Sequence, residues 1–203
     1  LRGPNVVTTL TAPHKFSPDY LAELRRSVPP SIAVLPHPRV AVIIGGQSAS
    51  HNYNENTGRR LARALKSIGT LGASLMITTS RRTPPAVIDE VKSATADFPG
   101  LFFDGTGENP YADFLAHADM LVVTGDSVNM TGEACATGRP VYVFHPDGGS
   151  KKIERFHKAL EVAGITRRLP DNPVALTEWT YKPVDASAII AEKIIKSWRE
   201  HQK

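Results

Sequence analysis

The chain has a single cysteine, no long apolar run and no charge of one dominant sign, and each shortage removes a class of protein. Cys135 alone cannot close an internal disulfide, so a reducing compartment, the cytoplasm, is its natural setting. No apolar stretch approaches the roughly 20 residues that cross a bilayer, and no signal-peptide pattern is present. Peripheral attachment to a membrane is left open. Lys and Arg exceed Asp and Glu by only 24 to 20. The basic residues fall in small clusters, Arg25–Arg26, Arg81–Arg82, Lys151–Lys152 and Arg167–Arg168, rather than in a stripe interleaved with aromatics, which argues against a nucleic-acid partner. None of the seven histidines has a metal-ligand spacing, and neither a metal nor a resident cofactor is expected. The GxGxxG and GxxxxGK[ST] motifs are missing too. An NAD-dependent oxidoreductase would want the first of these, with an acidic residue closing the next strand. The chain offers GGQSAS and TTSRR instead.

What is present is a repeated strand-then-helix pattern from Arg39 onward. RVAVIIGG is a β-branched apolar run stopped by two glycines, as a strand buried on both faces should be. Residues 55–68 place Leu61, Ala64, Leu65 and Ile68 on one helix face. ASLMITTS is a second strand, and TPPAVIDEVKSATAD a second helix with Thr83 as cap and Pro84 at its first position. LFFDG, then NPYADFLAHA with Asn109 capping ahead of Pro110, continue the pattern. DMLVVTG, SVNMTGEACATG, PVYVFHP and KKIERFHKALEVAG complete two more units, with a short sixth strand near Ile165–Leu169. After an irregular segment, 170–184, Asp185 caps a final helix. The expected fold is α/β, a doubly wound parallel sheet of Rossmann-like type, with its ligand where the strand order reverses, between the first and fourth strands.

Residues 1–38 read differently. A short strand over Asn5–Leu10 and a helix from Ser17 or Pro18 to Arg26 precede Pro29, Pro30, Pro36 and Pro38, which is linker chemistry. The chain starts at Leu1 rather than Met, and the expectation is a fragment whose first 38 residues are the remnant of a preceding domain. The Rossmann-like domain is expected over 39–184 and a C-terminal helix over 185–203.

The candidate ligand site follows the first and fourth strands. Gly45 and Gly46, then Gln47 and Ser48, form a small polar loop through which backbone could approach a ligand closely. Thr124, Asp126, Ser127 and Asn129 surround the start of the fourth helix, where free peptide N–H groups favour an anion such as a diphosphate. Ser127 and its neighbours are the favoured phosphate contacts. Asp126 must point elsewhere if it is not to repel the ligand. Glu133, in an otherwise small and apolar helix, is suited to a ribose diol. Arg81 and Arg82 offer guanidinium forks to phosphate, and Asn109 and Tyr111 begin a helix that could line a base or sugar pocket. His51 reads as a solvated loop histidine. His145 and Asp147 end the fifth strand with no role assigned, and Gly148–Gly149 reads as a flexible loop able to close over a ligand. No catalytic residue can be named.

The pattern DMLVVTGDSVNMTGEACATGRPVYVF is similar to the nucleotide-binding C-terminal domain of GT-B glycosyltransferases and of sugar-nucleotide 2-epimerases. The resemblance implies that Glu133 holds a donor ribose and that Ser127 and its neighbours lie by a diphosphate. RGPN, VIIGG, TTSRRTP, GENPY and RFHKALEVAGITR, together with that stretch, resemble the mitochondrial-fission Elm family, which has many bacterial members. That family implies an additional N-terminal domain as partner, a nucleotide-diphosphate sugar as substrate, and glycosyl transfer or sugar-nucleotide epimerisation. A non-catalytic interaction protein with the same fold, related to fission factors, is the alternative.

Overall fold

The apolar runs form the sheet for the reason their composition gives: β-branched residues fit a pleated surface buried on both faces. In the computed structural model, which describes residue 3 and residues 5–202, four such runs and two partly exposed edge segments pair side by side. They are β1 (Arg39–Ile44), β3 (Ser74–Thr79), β4 (Gly100–Phe103), β5 (Met120–Thr124), β6 (Val141–Phe144) and β8 (Thr166–Arg168). Their order is β4-β3-β1-β5-β6-β8, and every pairing is parallel. This is a doubly wound, Rossmann-like α/β fold. The order reverses at β1, which pairs β3 on one side and β5 on the other, so the crevice lies above β1 and β5 as expected.

Alternation sorts the core into two layers. Ala41, Ile43, Met76, Leu121, Val123, Val141 and Val143 face one side, covered by α1 (Pro18–Leu24), α2 (Pro30–Ala33), α5 (Tyr111–His117), α6 (Val128–Cys135) and α7 (Lys151–Val162). Val40, Val42, Ile44, Leu75, Ile77, Val122 and Phe144 face the other, covered by α3 (Glu55–Thr70) and α4 (Pro85–Thr95). The predicted face of α3, Leu61, Ala64, Leu65 and Ile68, is fully buried. A two-stranded antiparallel pair, β2 (His51–Asn52) with β7 (Asp147–Gly148), lies apart from the main sheet, and α8 (Ala186–His201) ends the described chain with Asp185 as its cap.

Three expectations for the N-terminal half are corrected. No strand forms over Asn5–Leu10. Residues 16–38 are no loose linker: Phe16, Leu21, Ile32 and Leu35 are buried in the same core as the sheet, and the proline-rich stretch contains α2. Thr83 does not cap α4, which starts at Pro85. Its hydroxyl donates to the Gly45 carbonyl at 2.5 Å and accepts the Ser80 amide at 3.0 Å, tying two loops together. The irregular segment 170–184 is pinned to the body. Trp179 donates to the Ile165 carbonyl at 3.2 Å beneath the Arg167 guanidinium, and Tyr181 donates to the Arg139 carbonyl at 2.8 Å.

Candidate functional site

The loop after β1 leaves the sheet with its amides already used. Gly45 N–H donates to Thr124 Oγ1 at 2.7 Å, Gly46 N–H to Asp126 Oδ2 at 3.1 Å, Gln47 N–H to the Arg82 carbonyl at 3.0 Å and Ser48 N–H to the His51 carbonyl at 3.2 Å. A Cβ on Gly45 would sit 2.2 Å from Asp126 Oδ2, and one on Gly46 would sit 2.2 Å from the Arg82 backbone. The two glycines are therefore there for the protein's own carboxylate and for the β3–α4 turn. The expectation that they open the backbone to a ligand is corrected, and with it a role for the fully buried Thr124 as a ligand contact. Thr124 is fully buried as a tie between strands, the Gln47 side chain accepts the Tyr53 amide at 2.9 Å, and the Ser48 hydroxyl accepts the His51 amide at 3.1 Å.

Asp126 points away from the helix it precedes. Its second oxygen accepts the Tyr53 hydroxyl at 2.6 Å, so both oxygens serve the first loop. Burial and the adjacent carboxylate push the Tyr53 phenol pKa up, which keeps it a neutral donor. Tyr53 is the residue that sequence reasoning missed. It lies inside the GGQSASHNYN stretch, but nothing local marks a partner 73 positions away.

Ser127 is left as the true cap of α6, its hydroxyl accepting the Met130 amide at 3.3 Å and its carbonyl the Thr131 amide at 3.2 Å. Among the described residues, the amides of Val128 and Asn129 have no partner in the chain. Asn129 is exposed and Val128 partly exposed at that end, the positive pole of the helix. One turn on, Glu133 shares the face of Asn129. It is half-buried, and its Oε2 accepts the Tyr111 hydroxyl. Burial and that carboxylate raise the Tyr111 pKa. The Asn109 side chain accepts the Tyr111 amide at 3.0 Å and so fixes the start of α5. The structure thus brings Ser127, Asn129, Glu133 and Tyr111 together on one side of the switch point. Arg81 and Arg82 sit on the turn after β3, exposed and without a side-chain partner among the described residues, and the Arg82 charge reaches Tyr53.

A second group of side chains closes the far side. His157, 2% exposed, reaches from α7 to the Gly125 carbonyl at 2.7 Å through Nε2, while its Nδ1 is buried without a partner. The His145 ring meets it edge-on at 5.1 Å between centroids. Burial, then the neighbouring His157, Arg168, His51 and Arg60 charges, bring His145 down to about 4, and burial lowers His157 as well. His51 is 5% exposed with its Nδ1 3.2 Å from the Ser50 hydroxyl, which corrects its reading as a solvated histidine. Asp147 accepts from Asn54 at 3.1 Å, Asn56 at 3.2 Å and Arg60 at 2.9 Å, and Gly149 N–H donates to the Ser50 carbonyl at 2.5 Å. The Gly148–Gly149 stretch is thus fastened to the first loop instead of hanging free. No group of three His, Cys, Asp or Glu side chains among the described residues is placed to hold a metal ion.

The profile of the family described as Mitochondrial fission ELM1 matches residues 1–198. The chain belongs to that family. Within the ELM1 family, the mitochondrial fission protein ELM1 of Arabidopsis thaliana is 34% identical over 194 residues, which is 94% of this chain and 45% of that protein. The uncharacterized protein RP120 of Rickettsia prowazekii (strain Madrid E) is 33% identical over 159 residues, 76% of this chain and 45% of that protein. The chain spans less than half the length of these two relatives. Among solved structures, a candidate UDP-N-acetylglucosamine 2-epimerase from Listeria monocytogenes is similar with a TM-score of 0.52 at 16% identity, over 71% of this chain and 35% of that one. This likeness shows a shared Rossmann-like fold over that part of the chain.

Proposed function

We propose that this chain is the nucleotide-sugar-binding domain of a GT-B-type protein that transfers a glycosyl group or epimerises a sugar nucleotide. One observation carries the reading. Unpaired amides at Val128 and Asn129 stand at the switch point, one turn from a half-buried carboxylate on the same helix. A diphosphate matches the first and a ribose diol the second. Arg81 and Arg82 are free to offset phosphate charge as a diphosphate leaves. The remainder of a longer polypeptide would supply the acceptor side of the cleft. No helix among the described residues is long and apolar enough to cross a membrane. Cys135, buried with its thiol pushed up to about 12, suits a reducing, cytoplasmic setting.

Thermal-shift and calorimetric titration against nucleoside diphosphates and their sugars tests the proposal. A hundredfold excess over the dissociation constant should stabilise the fold by about 2.7 kcal/mol. Glu133→Ala should lower that affinity roughly tenfold or more. A folded protein that no nucleotide shifts would give way to the second reading, an interaction protein that kept the fold without the chemistry. That reading is favoured by the first loop, whose amides the chain itself consumes.

A further inference from the structure

Glu133 could hold a ribose only if its carboxylate were already in place, because a free glutamate on a helix samples several rotamers and ordering it weakens binding. The structure supplies the constraint. Tyr111 is fixed at its backbone by Asn109 and at its ring by Phe16, whose centroid lies 5.8 Å away and which is itself 1% exposed. Its hydroxyl donates to Glu133 Oε2. Oε1 has no partner among the described residues and is not among the buried polar atoms left unpaired, so water reaches it. Gly132, beside Glu133, lies against Thr11, where a Cβ would stand 3.2 Å from the threonine Cβ. The segment that carries Phe16 thus also fixes the helix turn that carries the carboxylate.

We propose that Tyr111 is the positioning residue of a ribose site, holding one oxygen of Glu133 so that the other meets the 2′- and 3′-hydroxyls of a ribonucleotide. This rests on the nucleotide reading and adds a sugar selectivity to it: ribose is taken over 2′-deoxyribose. A phenol suits the task because it donates once and remains neutral, its pKa raised by burial and by the carboxylate it serves. It steadies Glu133 without cancelling its charge, as an arginine would. A carboxylate has about four lone-pair directions, so one phenol leaves room for a diol.

The test is calorimetric titration of the whole chain with UDP, ADP, GDP and CDP, each beside its 2′-deoxy counterpart. The wild type should prefer a ribonucleotide over its deoxy form roughly tenfold. Tyr111→Phe, which keeps the ring on Phe16, should weaken the ribonucleotide roughly 3- to 10-fold and the deoxynucleotide less than about twofold. In a Glu133→Ala background the same substitution should change neither. Equal weakening of both ligands would make Tyr111 merely structural and overturn the proposal. So would a ribose preference that Glu133→Ala removes and Tyr111→Phe preserves, and in that case the nucleotide reading stands. Binding of none of the eight ligands would bring down the nucleotide reading and this inference together. A second measurement leaves residue 111 unsubstituted. The carbon-13 signal of the Tyr111 Cζ should move in Glu133→Gln without ligand and hold still when nucleotide is added. Movement on adding nucleotide means the ligand displaces Tyr111, which is incompatible with positioning.

Discussion

Gly45 shows how one residue can be read correctly as special and wrongly as to why. Two glycines ending a buried strand mark a place where something comes close to the backbone, and something does: the Asp126 carboxylate. The sequence shows the closeness but not the visitor, because Asp126 lies 80 positions beyond even the second glycine, Gly46. Gly45→Ala should therefore cost about 1–3 kcal/mol by overpacking. Asp126→Ala should cost a similar amount, about 1–3 kcal/mol, by leaving the Tyr53 hydroxyl and Gly46 amide unpaired. Since the methyl of the first variant fits the space vacated by the second, the double variant should lose clearly less than the sum. Urea denaturation of the four proteins checks this, and strict additivity would mean that the glycine answers to something other than Asp126. Glu133, a single carboxylate in an apolar helix, is likewise conspicuous, and its partner in the structure is the chain's own Tyr111 hydroxyl.

Between elements, the informative contact is the clasp of β2 and β7. Sequence reasoning reads Gly148 and Gly149 as a flexible loop because left-handed backbone is what glycine permits, and both do have positive φ. The opposing strand is only two residues long and comes from the loop after β1, too short for any periodicity to betray it. Arg60 secures the clasp, donating to Asp147 at 2.9 Å and to Asp171 at 3.0 Å with its guanidinium over Phe144. Arg60→Ala should cost roughly 1–3 kcal/mol and speed amide exchange at Gly149, whose N–H is bonded to Ser50, far more than at the strand amides of β1. Unchanged protection at Gly149 would show that the clasp does not depend on the arginine. The histidines behind it make the same region acid-sensitive. His145 is held near 4, against 6.5 in an unfolded chain, so the folded state resists its protonation. Its contribution is complete above pH 6.5 and is lost as pH falls toward 4. The lowered His157 acts in the same direction. His145→Phe should flatten the fall in stability between pH 6.5 and 4. An unchanged pH profile in that variant would place the acid sensitivity elsewhere.

At the scale of the molecule, the strand-helix rhythm from Arg39 onward was enough to give the sheet, its parallel sense and the position of the crevice, because each unit carries its own apolar period and its own stop. Residues 1–38 have no such rhythm, and their prolines invite a reading as linker. Long-range burial decides otherwise, and no local pattern encodes it. Phe16 is 1% exposed, shares a core with Ala41, Leu121 and Phe114, and supports the ring of Tyr111. Phe16→Ala should cost about 3–5 kcal/mol, a large part of the roughly 5–15 kcal/mol by which such a domain is stable. Val34 lies in the same proline-rich region and is 79% exposed, so Val34→Ala should stay within about 0.5 kcal/mol of the parent. The comparison isolates the point. If residues 16–38 served only as a tether, both truncations would be silent in a urea melt. If they complete the core and the floor of the site, the phenylalanine alone should lower the unfolding midpoint, and it should weaken ribonucleotide binding in proportion to how far Tyr111 loses its support.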